Sequence, residues 1–358
     1  MKNIIDMIMA PEYSFTAVVV LFILMIKYVD KIATKKFGYS LLLGMTVFIG
    51  WLFTDNVFRL NFFATNDNVP IIFLVFLVVW SCWFSLYKGI QNDNRIAAGG
   101  VPLEAEPENR EKVWSWPNLV YTELFAIIAC TIFLIVWAIV FKSPLEEPAN
   151  PTWAPNPAKA PWYFLGLQEM LVYFDPWLAG VLLPGLIIVG LVAIPYMDVN
   201  PKGNGYYTFR ERKFAITTFL FGWLVLWVFL IIIGTFLRGP NWVYYGPFEV
   251  WDAHKVLAAN NVNISEYFWI KLLNQGLPKN ILVREIAGII MTVGYFVVGI
   301  PLFNKFFGNK YLKRMGMIRY YLMVMLIFMT LTLPIKMYLR WSINLKYIIF
   351  MPEFEFNI

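Results

Sequence analysis

The sequence predicts an all-α integral membrane protein of about eight transmembrane helices, with a short amphipathic helix in the outer loop between the fourth and fifth. Three observations predict it. Hydrophobic residues make up 59% of the 358 and charged residues only 15%, against about 25% charged in a soluble domain. The apolar residues are concentrated in long stretches, which a bilayer requires and a soluble core does not. Those stretches are apolar on every face, without the alternation of a membrane barrel.

The candidate spans run over 13–26, 39–53, 70–87, 119–141, 178–197, 214–237, 281–303 and 317–337. A hydrocarbon core about 30 Å thick needs roughly 20 helical residues. The first two are therefore short and depend on flanking Lys, Tyr and Trp as interfacial anchors. Residues 1–10 lack the basic region, apolar run and cleavage site of a signal peptide. Of the 29 Lys and Arg, 17 fall in the loops after spans one, three, five and seven, counting Arg319 in the first turn of span eight. That bias predicts these loops in the cytoplasm and both termini on the outer side. The same clustering accounts for the net charge of +6 without nucleic acid as a partner.

A polar stretch over 91–116, with Gly99, Gly100, Pro102 and Pro107 among its charges, reads as an exposed cytoplasmic linker. It divides a three-helix extension (1–90) from a core over 117–237. An outer loop and two more helices follow over 238–358. No internal repeat is evident.

Cysteine and histidine counts restrict the chemistry. Cys82 and Cys130 lie in separate apolar segments, so the chain has neither an iron–sulfur ligand set nor a haem-attachment motif. His254 is the single histidine. A haem with two axial histidines cannot be built from it, so any b-type haem must take its ligands from another polypeptide.

The loop over 142–177 carries the candidate site. It opens with Pro144, Pro148, Pro151, Pro155 and Pro157, which hold it extended. Lys159-Ala160-Pro161-Trp162-Tyr163-Phe164-Leu165-Gly166-Leu167-Gln168-Glu169-Met170 follows. Pro161 suits a first helical turn, predicting a short helix from there to about Tyr173. Trp162 and Glu169, seven apart, fall on nearly one face, and Tyr173 is four further on. Such a helix sets a carboxylate among aromatic rings. A quinol needs a flat apolar slot and a polar partner for its hydroxyls, and a carboxylate with its charged form disfavoured suits a proton acceptor. The same pattern also describes an ordinary interfacial anchor helix.

Residues 159–164 resemble the Pro-Glu-Trp-Tyr motif of cytochrome b and subunit IV. Trp116-Pro117-Asn118 resembles the entry to that family's first subunit-IV helix, and Pro195 and Asp198-Val199-Asn200-Pro201 follow span five as in family members. Arg238-Gly239-Pro240-Asn241-Trp242, Trp251-Asp252 and Arg284-Glu285 resemble a bacterial branch, so the likeness covers about 114–314. The resemblance implies a subunit of a quinol:cytochrome c oxidoreductase that forms one wall of the quinol-oxidation site. It implies b-type haems and a Rieske 2Fe-2S cluster in partner subunits: a haem-bearing cytochrome b and a Rieske iron–sulfur protein. It also implies a c-type cytochrome as acceptor, a dimer of the whole complex, and a bacterial energy-conserving membrane. The family's motif glutamate falls at Pro161 and its proline at Ala160, so Trp162 and Tyr163 alone match in place. Glu169, the nearest downstream carboxylate, is the substitute acceptor, with Tyr163 as a second catalytic candidate. Pro161, Trp162, Tyr163, Glu169 and Tyr173 form the candidate quinol-binding set.

Other polar residues have plainer readings. His254 reads as a solvated loop residue, and Arg238 and Arg284 as ligands of helix-end carbonyls or lipid phosphates. Glu123 reads as a snorkelling carboxylate, and the methionines of the eighth span as packing or lipid-facing surface. Two rival classes are a structural subunit without a working quinol site and a transporter. The spans offer few of the paired charges expected of a transporter and no inverted repeat.

Overall fold

A computed structural model of the protein describes residues 2–62, 68–106, 112–140, 148, 159–199, 207–252, 254–255 and 261–355. Pro144, Pro151, Pro155, Pro157 and the Asn200-Pro201 part of the turn after span five lie outside the described residues. Among those described the chain is helical, without strands and with two isolated bridges, Arg238 to Tyr244 and Val262 to Leu345.

Two bent pairs open the chain: α1 (Lys2–Ile8) with α2 (Pro11–Lys27), and α3 (Lys35–Leu52) with α4 (Asn56–Phe62). Six longer helices follow the size and composition of membrane spans: α5 (Asn68–Ala97), α6 (Ser115–Val140), α8 (Leu178–Met197), α9 (Phe209–Phe236), α10 (Ile286–Gly308) and α11 (Met317–Ile343). Between α6 and α8 lies the short α7 (Trp162–Met170). The fold class read from the sequence, an all-α membrane protein, is the one found. Among the described residues six helices are long and apolar enough to cross a membrane, or up to eight if each bent pair is one span.

The bends explain why the first two predicted spans are short. Pro11 begins α2, where its missing N–H breaks no bond, and the α1–α2 angle is 72°. Asp55 accepts from Val57 N at 2.9 Å and Phe58 N at 3.1 Å, starting α4 afresh at 102° to α3. The first bend thus rests on Pro11 with no side-chain cap, and the second on the Asp55 cap.

The linker differs from expectation. α5 continues to Ala97, past the predicted start of the linker at 91, because its last turns are held from outside. Asn92 accepts from Leu103 N at 3.0 Å and donates to Tyr207 O at 3.0 Å. Asp93 accepts from Phe209 N at 3.2 Å and Arg210 N at 2.8 Å, capping the N-terminus of α9. The predicted extension also shares a core with the rest of the chain: Phe15 and Phe22 of α2 join Leu86, Phe229, Leu230 and Met337 in one buried cluster.

No residue of α6 is buried, so it is apolar and uncovered on all sides, Glu123 included. Met337 is fully buried while Met317 is 70% exposed, so the methionines of α11 serve both packing and exposed surface.

One end of the bundle collects Asp6, α7, the 238–252 loop and the segment after α11. There Tyr244 Oη donates to Asp6 O at 2.9 Å and Phe248 N to Asp6 Oδ1 at 2.9 Å. A strap over 345–350 closes this end. Lys346 N donates to Val262 O at 3.0 Å and Ile264 N to Tyr347 O at 3.1 Å. Phe350 N donates to Glu285 Oε2 at 2.9 Å. Gly288 lies so close to the Ile348 carbonyl that no side chain fits between them.

Candidate quinol-site loop

α7 forms where the sequence places it, but in a shorter version. Pro161 is the N-cap (φ −51°, ψ 145°) rather than part of the first turn, and the helix ends at Met170, followed by a turn through Tyr173. Gln168 accepts from Ala160 N at 2.9 Å, folding the preceding strand of loop back over the helix. Leu165, Gly166, Glu169 and Met170 form the buried face, at the spacing of one helical stripe. That face lies on the last turns of α9. Gly234 faces it closely: a Cβ there would stand in van der Waals contact, 3.4 Å, with the Leu165 carbonyl oxygen.

The buried face carries a charge, and Arg238 answers it. Glu169 has no exposed surface and Arg238 is 9% exposed. Arg238 Nε donates to Glu169 Oε2 at 3.0 Å and Nη2 to Oε1 at 2.6 Å, the bidentate geometry that suits guanidinium and carboxylate. Arg238 Nη1 donates to the Trp242 carbonyl at 3.0 Å. That carbonyl belongs to a tight turn in which Asn241 and Trp242 both adopt left-handed backbone (φ 58° and 56°), a conformation rare for tryptophan. One side chain thus clamps α7 and holds the turn after α9.

Lys159 completes the cluster. Its Nζ donates to the Thr235 carbonyl at 2.6 Å, filling an acceptor that the C-terminal turn of α9 leaves open, and stands 5.6 Å from the Trp251 ring centroid. Burial pushes the Lys159 ammonium down to about 7; Glu169 opposes that shift and Arg238 adds to it. Thr235 Oγ1 and Trp242 Nε1 are buried beside this cluster without a hydrogen-bond partner among the described residues.

The predicted set therefore separates into two groups. Trp162, Tyr163 and Phe164 are 37%, 49% and 50% exposed and form a ring series, Trp162 edge-to-face with Tyr163 at 5.6 Å and Tyr163 tilted against Phe164 at 4.6 Å. Pro161 is exposed beside them. Glu169 and Tyr173 lie inside. Tyr173 is 1% exposed and meets the Trp341 ring at 6.0 Å, interplanar angle 86°; burial first, then Glu169, pushes its phenol above the usual value. The expected carboxylate among surface rings is not the arrangement found. A carboxylate on the packing face of a helix is stable only when paired, and Arg238 pairs it.

Sequence reasoning read Arg238 as a ligand of helix-end carbonyls or lipid, and missed both the ion pair and the Lys159 contact. The signal was available: a carboxylate at buried spacing demands a cation, and Arg238 directly follows the span that α7 covers. Arg284 has a similar local role, donating to Glu285 Oε1 at 2.9 Å and Phe350 O at 3.2 Å. The His254 side chain is 96% exposed. Among the described residues no group of His, Cys, Asp and Glu could hold a metal ion.

The comparisons agree with the location of the loop. Residues 148–250 match the family model described as cytochrome b(C-terminal)/b6/petD, which supports the resemblance read from the sequence. The matched stretch contains α7, α8, α9 and Arg238. It is narrower than 114–314, so Trp116-Pro117-Asn118 and Arg284-Glu285 lie beyond it. No solved structure matches the chain.

Proposed function

We propose that this chain, similar over 148–250 to the C-terminal part of cytochrome b and its b6/petD counterparts, is the membrane subunit of a quinol:cytochrome c oxidoreductase that carries no haem ligands of its own. The observation that carries the reading is the exposed series Trp162, Tyr163 and Phe164 on α7, inside the matched stretch. It offers an exposed aromatic surface for a quinol ring, open to a partner subunit. The haem-bearing cytochrome b subunit would supply the opposite wall and the b-type haem ligands, since a lone His254 cannot. A Rieske iron–sulfur protein would take the first electron and a c-type cytochrome would carry it on, with protons released outside. The complex would be a dimer in a bacterial energy-conserving membrane, with both termini of this chain on the outer side.

In this reading Pro161, Trp162 and Tyr163 contact quinol, and Tyr163 Oη can hydrogen-bond a quinol hydroxyl. Glu169 serves the site by fixing the helix that presents them. Accepting a quinol proton would require Glu169 to leave Arg238, as one function of the pair. A second reading, a structural subunit without a working quinol site, is favoured by that same ion pair. The intact complex distinguishes them. Affinity purification of this chain should recover a polypeptide with b-type haem absorbance and quinol-dependent cytochrome c reduction. Recovery without a haem protein refutes the membership. Unchanged turnover in Trp162→Ala and Tyr163→Phe variants favours the structural role.

A further inference from the structure

A cleft of about 670 Å³ opens between α8, α10 and α11, away from the exposed rings of α7. Tyr173 and Asp175 close it at one side and the strap over 347–351 at another. Its walls are almost wholly apolar, with Leu182, Met291, Phe296 and Met329 among them. The volume lies within the roughly 300–1,000 Å³ of ligand pockets.

The polar groups in its walls are nearly all turned inward to the protein. Thr292 donates to Gly288 O at 2.9 Å, Tyr295 to Phe328 O at 2.8 Å and Thr332 to Met329 O at 2.6 Å. Asp175 accepts from Trp177 N at 3.0 Å and Leu178 N at 3.1 Å, which caps α8. Lys336 differs. It is 2% exposed, lines the cleft, and makes one hydrogen bond, to Leu345 O at 2.8 Å. An ammonium has three N–H donors, and among the described residues no carboxylate pairs with this one. Arg340 lies one turn further along the same face of α11, and Lys346 follows in the strap. Of these three cations Lys336 alone lines the cleft; among the described residues the other charged lining group is Asp175, already bonded to the start of α8.

We propose that this cleft holds an anionic phospholipid of the membrane, one acyl chain between α8, α10 and α11 and its phosphate at Lys336. An apolar slot between membrane helices, ending in a cation with unfilled donors, matches an acyl chain ending in an anionic headgroup. A lysine placed in a span without an anion is otherwise unfavourable. The site does not depend on the quinol reading.

The test uses the intact complex, stripped in mild detergent and incubated with phosphatidylglycerol or phosphatidylcholine, with retained lipid counted by native mass spectrometry. Wild type should retain phosphatidylglycerol over phosphatidylcholine by about fivefold, the scale of one basic side chain at a membrane surface. Lys336→Arg should keep that preference and Lys336→Met should lose it. Equal retention of the two lipids by wild type overturns the proposal even if the methionine variant fails to assemble. So does a cryo-electron microscopy map of the complex in which a quinone or a partner helix fills the cleft.

Discussion

Glu169 and Arg238, 69 residues apart in sequence, meet in a bidentate ion pair from which solvent is excluded. Removing one member strands the other charge in an apolar contact. Arg238→Met should lower stability by about 3–5 kcal/mol, whereas the double variant with Glu169→Leu should recover much of the loss. Thermal denaturation of the detergent-purified complex, followed by size-exclusion fluorescence, measures both. A double variant no more stable than Arg238→Met would show that the pair holds more than charge compensation.

The exposed rings allow a cleaner separation of chemistry from folding. Trp162→Ala should lower quinol-dependent cytochrome c reduction by about tenfold, equivalent to roughly 1.4 kcal/mol of barrier. Its effect on stability should remain within about 0.5 kcal/mol, as for exposed positions in general. Glu169→Gln has the opposite signature: a marked fall in the melting temperature, with turnover per assembled complex close to wild type. A loss of turnover in that variant without loss of stability would make Glu169 the proton acceptor.

Lys159 imposes a pH dependence of defined sign. Its folded value, pushed by burial to about 7, lies below the ordinary 10.5, so the unfolded chain binds more protons between these limits. Stability should therefore rise from about pH 7 toward pH 10, by at most about 1.4 kcal/mol per pH unit for one proton. Below pH 7 both states carry the charge and this contribution is flat. Melting midpoints of wild type and Lys159→Met at pH 7 and pH 9 isolate it: the difference between the two proteins should change in favour of wild type as pH rises.

Two glycines of α9 give a matched comparison for the α7 contact. A Cβ at Gly234 meets the Leu165 carbonyl oxygen at 3.4 Å, while one at Gly222 meets nothing within 4 Å. Gly234→Val should displace α7 and cost about 1–3 kcal/mol, and Gly222→Ala should be neutral or slightly stabilising. The displacement should also reduce turnover, since Trp162 and Tyr163 move with the helix.

Orientation is open to labelling. In a background without Cys82 and Cys130, a cysteine replacing Glu355 should react with a membrane-impermeant maleimide added outside intact cells, and one replacing Lys35 should not. The reverse pattern would invert the assignment drawn from the Lys and Arg bias.

Much of the fold was legible because its determinants are local. The long apolar runs that became α5, α6, α8, α9, α10 and α11 need no tertiary information to be read as membrane helices. The kinks that split α1 from α2 and α3 from α4 were not read, although Pro11 and Asp55 stand at them. The end of α5 was misjudged because Asn92 and Asp93 are polar in sequence yet bonded to residues more than ten positions away. In the loop, Trp162 and Tyr163 were singled out by motif. The inward position of Glu169 was not, since helical periodicity gives a shared face but not whether that face meets water or α9. The Arg238 partner that decides the matter is remote in sequence.

The strap over 345–350 has a consequence for biogenesis. The buried Glu285 carboxylate takes its second hydrogen bond from Phe350 N, and Val262 bridges to Leu345. These partners are synthesised 65 and 83 residues after the groups they satisfy. During translation α10 must enter the bilayer with Glu285 still lacking that donor and with Gly288 uncovered. The loop between α9 and α10 can close only when α11 has crossed and the strap has folded back over it. Insertion of the last helix is thus the step that locks this end of the molecule, and a chain stalled before it would present an unfinished edge to quality-control proteases.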